Sequence, residues 1–129
     1  FYLSSAELFW QKPWFGWGAG SFGDAYAQIS QGRYLFTDNP HNEYLRVAVE
    51  GGLLSLLILG WLWKTQWRYY SQSKLPHQIL QQSILLVFML GCCFNSWLTD
   101  FAPSYFYVLF TSLTVKPAEV WRPGELLYT

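Results

Sequence analysis

Charge is scarce in this sequence. Lys, Arg, Asp and Glu together make up 12% of its 129 residues, about half of the ~25% typical of a soluble domain. Solvated surfaces are built mainly from those four residue types, so the shortage argues against an ordinary water-soluble domain. The formal net charge is zero, which leaves no electrostatic footprint for nucleic acid. Cysteine is nearly absent too: the only two, Cys92 and Cys93, are adjacent and lie inside an apolar run. Neighbouring cysteines rarely bridge, and thiols in apolar surroundings are unreactive. Their spacing fits no metal site either, so they read as small core residues. The sequence opens on Phe1 with no initiator methionine and no signal-peptide pattern. It reads as a fragment, from the C-terminal part of a longer multi-pass membrane protein.

What fills the space is apolar: 52% of residues are hydrophobic and 21% aromatic. One run extends from Val47 to Trp63, broken only by Glu50, and a second from Ile84 to Leu98. With their flanks, each spans most of a ~30 Å hydrocarbon core at ~1.5 Å per residue. A third run, Phe101 to Val115, is shorter and contains Pro103. The fold class that follows is an all-α membrane protein, with an extracytoplasmic loop and short interfacial helix followed by two to three transmembrane helices. The expected organisation is a periplasmic loop region over 1–40, a transmembrane helix over 41–63 and a cytoplasmic loop over 64–78. A second span over 79–98 follows, then a periplasmic turn and short last span over 99–115, and a cytoplasmic tail over 116–129. Basic residues set that orientation: Lys64, Arg68 and Lys74 cluster in one loop without any acid, and such loops face the cytoplasm.

The first forty residues contain no span-length run. SSAELFWQKP predicts a short helix capped by Ser4 or Ser5 and stopped by Pro13, lying on a membrane interface or packed against protein through Leu8, Phe9 and Trp10. PWFGWGAGSFGD follows, with Gly16, Gly18 and Gly20 at alternate positions. No strand precedes it and its spacing is not the dinucleotide fingerprint. It predicts a loop with a permissive backbone, suited to close approach by a ligand.

The residues able to do chemistry sit at the entrance to the first span, in TDNPHNEYLRVAVEGG. Asn39 predicts a helix cap and Pro40 the first helical residue, which puts His41 and Asn42 in the first turn. Free amides and the dipole at that end attract an anion such as phosphate. The same dipole disfavours a charged imidazolium, leaving His41 able to accept a proton; the bland alternative is an interfacial cap residue. Leu45, Ala48, Gly52 and Ser55 fall below His41 on one face, and Ala48-xxx-Gly52 is a small-xxx-small step that admits a neighbouring helix. Arg46 and Glu50, four apart, are placed to neutralise each other. Arg33 in the outer loop is either solvated or meets a phosphate.

Taken in order, WQKPWFGWGAGSF, then His41-Asn42, then Gly52 leading into an apolar helix resemble the O-antigen ligase family. NSWLTDF at 95–101 also resembles that family's C-terminal part. One departure is Gly52-Leu-Leu-Ser55, where the ligase pattern has a second glycine. The family groups O-antigen ligases with O-antigen polymerases and bacterial protein O-oligosaccharyltransferases. The resemblance implies a multi-pass enzyme of the bacterial inner membrane that works on its periplasmic face, without metal or other cofactor. The implied donor is a glycan on undecaprenyl diphosphate, and the acceptor is lipid A-core, a growing glycan or a protein. It marks His41 as the essential histidine, with Asn42, Arg33 and Arg46 as candidates for binding the donor diphosphate or sugar. A non-catalytic transporter or scaffold segment, in which His41 only ends a helix, is the alternative from a different class. Transport usually requires polar or broken positions at mid-membrane, and the spans offer only Gly60, Asn95 and Ser96.

Overall fold

A computed structural model describes residues 2–30 and 39–114, which form five α-helices and, among the described residues, no strand. In chain order these are α1 (Tyr2–Gln11), α2 (Phe22–Ser30), α3 (Glu43–Tyr70), α4 (Leu75–Gly91) and α5 (Phe101–Thr114). Arg33 and the tail after Thr114 lie outside the described residues.

α3 is the spine. Its 28 residues span about 42 Å at the usual rise. One end of α4 is tied to its beginning, where the Glu43 amide donates to the Cys92 carbonyl at 2.8 Å and the Tyr44 hydroxyl to the Met89 carbonyl at 3.0 Å. At the other end Gln82 Nε2 donates to Ser71 Oγ at 2.9 Å. The two helices are therefore antiparallel. Leu59, Trp63, Tyr70, Leu85, Phe88 and Cys92 bury the seam between them. α5 returns along the same core, its Tyr107 ring stacked on Phe88 at 4.1 Å between centroids. Pro103 falls in the first turn of α5, where a missing amide costs nothing.

A second small core lies on another face of α3. Leu8 from α1, Phe22, Ala25 and Tyr26 from α2, and Val49 from α3 are all buried there. Leu8 is thus a protein contact, while Trp10 on the same helix remains exposed.

Several helix ends differ from the sequence reading. α1 starts at Tyr2, so Ser4 and Ser5 are inside it rather than capping it. α2 was not anticipated, although Phe22, Ala25, Tyr26 and Ile29 have helical spacing. α3 runs past Trp63 to Tyr70, because Lys64-Thr-Gln-Trp-Arg68 contains neither Gly nor Pro. The connection to α4 is accordingly confined to 71–74, and α4 ends at Gly91, with turns from Cys92 to Asp100. Among the described helices α3 alone is long and apolar enough to cross a membrane; α4 is apolar but shorter, at 17 residues.

The single helical face expected to carry Leu45, Ala48, Gly52 and Ser55 below His41 is interrupted, because the helix breaks at Gly52, whose φ is 67° and ψ −162°. The glycine-rich loop fills the break. Trp17 N–H donates to the Val49 carbonyl (2.9 Å) and Gly18 N–H to the Glu50 carbonyl (2.8 Å). In the other direction Leu53 N–H donates to the Pro13 carbonyl (2.7 Å) and Leu54 N–H to that of Trp14 (3.4 Å). A Cβ at Gly16 would overlap the Glu50 carbonyl, and one at Gly52 would overlap that of Trp14. What approaches this loop closely is the opened backbone of α3.

Candidate functional site

The His41 region is shaped by two asparagines. Asn39 Oδ1 accepts the His41 amide at 2.8 Å, a side-chain turn of the kind asparagine favours. The same oxygen accepts the Ser96 hydroxyl at 2.5 Å, which ties the turn to the segment after α4. His41 then adopts φ 51°, in the left-handed region that a right-handed helix cannot include. The expected cap at Asn39 is therefore displaced to Asn42, whose φ of −158° and ψ of 112° are extended. Asn42 Oδ1 accepts the Leu45 amide at 3.1 Å and its Nδ2 donates to the Cys93 carbonyl at 2.9 Å. Exposed His41 precedes the helix instead of lying in its first turn.

The displacement changes the electrostatics. The Glu43 amide is taken by Cys92 and the Leu45 amide by the Asn42 cap. An anion at this end would meet side chains more than helix amides. Arg46, one turn into α3, is the nearest basic side chain along the helix. Its Nε lies 3.3 Å from Glu50 Oε1, and Nη1 donates to Thr99 Oγ1 at 3.0 Å. Thr99 Oγ1 in turn lies 3.4 Å from Oε2 of buried Glu43 and 3.2 Å from the Ser96 carbonyl. Glu50 also meets the first amide of α2, Phe22 N–H, at 3.4 Å. The Arg46–Glu50 pair expected from the spacing is present, and it is wired into α2 and the 92–100 turn. Nη2 of Arg46 makes no hydrogen bond among the described residues.

Of the four candidate site residues, His41, Asn42 and Arg46 are gathered at this end of α3, and Arg33 lies outside the described residues. Asn42 acts as a clamp that ties the start of α3 to the turn after α4. Glu43 and Thr99 were missed as members of the network. Thr99 belongs to the NSWLTDF stretch, but nothing local in the sequence pairs it with a residue fifty positions earlier. The clamp gives a direct expectation. Replacing Asn42 by alanine removes the cap and the tie to Cys93, and should cost about 2 kcal/mol, read as a lower midpoint of thermal unfolding in detergent. Asn42→Asp, which keeps the acceptor and loses the donor, should fall between.

Residues 1–60 match the family model described as O-antigen ligase. Over this stretch, just under half of the chain, the protein is similar to the O-antigen ligase family. The match covers α1, the glycine loop, α2, the His41 turn and α3 past its break. It is the part that contains His41, Asn42 and Arg46, whereas the residues that hold them from the other side, Cys93, Ser96 and Thr99, fall beyond it. O-antigen ligase family members are membrane enzymes of a glycan-transferring ligase and polymerase superfamily. No curated protein and no solved structure matches the chain.

Proposed function

We propose that this chain carries the catalytic histidine of a metal-independent glycosyltransferase of the bacterial inner membrane. It would move a glycan from undecaprenyl diphosphate to lipid A-core, as an O-antigen ligase. The observation that carries the reading is the exposed, conformationally fixed His41, at the entrance of a long apolar helix and inside the segment matching the family.

In this proposal α3, α4 and α5 cross the bilayer, with the 71–74 connection in the cytoplasm beside Lys64, Arg68 and Lys74 and with His41 on the periplasmic side. Exposed Leu54, Leu57, Ile58 and Trp61 on α3 would face lipid or neighbouring spans. The donor's prenyl tail lies in the bilayer and its diphosphate at the periplasmic lip. The acceptor hydroxyl attacks the anomeric carbon while the bond from that carbon to the diphosphate oxygen breaks. His41 accepts the hydroxyl proton, or donates a hydrogen bond to the departing diphosphate. With the Glu43 and Leu45 amides already engaged, much of the diphosphate charge falls to side chains, with Arg46 at this end of α3 and Arg33 earlier in the chain as the candidates. Asn39 holds the His41 amide, and Asn42 anchors the helix start that follows it.

Deletion of the gene separates the acceptors. Loss of ligation predicts lipopolysaccharide ending at lipid A-core, with lipid-linked glycan accumulating. Shortened glycan on otherwise substituted lipid A-core would identify a polymerase, and loss of glycan from protein an oligosaccharyltransferase. Unchanged lipopolysaccharide, polymer length and protein glycosylation would sink the proposal.

A further inference from the structure

The break at Gly52 fixes the depth of the glycine loop. Pro13 and Trp14 are hydrogen-bonded through their carbonyls to Leu53 and Leu54, so the loop lies at the level of those residues along α3. That level is past Arg46 and Glu50 and inside the apolar run that ends at Trp63. Trp14 and Phe15 are nonetheless 67% and 77% exposed, and they flank Leu53 and Leu54, which are 36% and 47% exposed. The apolar surface of the loop is continuous with that of α3 below it. Behind these side chains the backbone is satisfied. The opened helix and the loop exchange four hydrogen bonds, which is the condition for irregular backbone at membrane depth. Lys12, one residue before Pro13, folds back with Nζ 4.0 Å from the Trp17 ring centre, at the level where aromatic and long basic side chains gather at an interface.

We propose that Trp14 and Phe15 insert into the leaflet on the His41 side and contact its acyl chains just below the headgroups. The loop is then a wedge that pins the α1–α2 unit to the bilayer beside the candidate site. The inference rests on α3 being a membrane span, and its occupant is lipid rather than a further part of the protein.

The test is spin-label accessibility in the whole protein, reconstituted into phosphatidylethanolamine–phosphatidylglycerol vesicles. Labels are placed by Phe15→Cys, by Leu57→Cys on α3 and by Gln28→Cys on the exposed side of α2, in a background without other cysteines. Each position is exposed, so no buried contact is lost. Phe15→Cys and Leu57→Cys should collide several-fold more with oxygen than with a water-soluble nickel reagent, and Gln28→Cys the reverse. A Phe15→Cys label open to the nickel reagent, or shielded from both, overturns the wedge. If the Leu57→Cys label also reads water, the span itself falls; if it reads lipid, only the wedge does. In the unsubstituted protein, a phospholipid with its photoreactive group near the headgroup end of the acyl chain should mark peptide 13–18. Absence of that adduct, with α3 marked, overturns the wedge as well.

Discussion

Replacing His41 by asparagine should reduce glycan transfer by about 10²–10⁴-fold, the range contributed by a positioned proton acceptor or donor. Asparagine is the informative substitute because His41 has φ 51°, a conformation that asparagine adopts more readily than most residues. His41→Ala should lose transfer to the same extent and also lose about 0.5 kcal/mol of stability, because histidine tolerates the left-handed region better than alanine does. Abundance in the membrane should be close to unchanged for asparagine, since the side chain is exposed and the cap belongs to Asn42. Transfer measured in membranes with a lipid-linked donor checks both variants. Activity within a few-fold of the wild type for His41→Asn, at normal abundance, would reduce His41 to a turn residue and end the catalytic reading.

The largest structural effect is expected at the helix break. A Cβ at Gly52 would collide with the Trp14 carbonyl and would also have to accept φ 67°. Backbone cannot yield as a side chain can, so Gly52→Ala should cost at least ~3 kcal/mol. Gly16→Ala meets the Glu50 carbonyl in the same manner, at φ 68°, and should behave alike. Either change either expels the loop, stranding the carbonyls of Val49 and Glu50, or straightens α3 and strands the amides of Trp17 and Gly18. Gly60 is the control: it is helical with nothing near its missing Cβ, so Gly60→Ala should be neutral or stabilising by about 0.5–1 kcal/mol. Thermal unfolding in detergent and abundance in membranes should separate the three variants. A mild effect at Gly52, equal to that at Gly60, would show that the loop does not seat in the break.

Much of this fold was legible because it depends on local chemistry. Shortage of charge and long apolar runs announced the helices, and the four-residue spacing of Arg46 and Glu50 announced their ion pair. His41 and Asn42 were recognisable as the chemically unusual residues at the entrance of α3. Their geometry was not. Asn39-Pro40 carries a good helix-start signal, and it loses to an arrangement stabilised by Ser96, Cys92 and Cys93, all remote in sequence. The glycine loop failed for the same reason. Alternate glycines announced that something approaches the backbone, but whether that is a ligand or the carbonyls of Val49 and Glu50 depends on a contact more than thirty residues away. α2 was readable in principle, since Phe22, Ala25, Tyr26 and Ile29 have helical spacing, and its shortness hid it.

The ties at both ends of the α3–α4 hairpin bear on how such a chain can change over generations. With Glu43 and Tyr44 fastened to Cys92 and Met89, and Ser71 to Gln82, the two arms act as matched rulers. A residue gained or lost in one arm would swing the His41 turn around the axis of α3 unless the other arm compensates. Viable length variation should therefore come as paired insertions or deletions on the two arms, or be confined to the short connection between them.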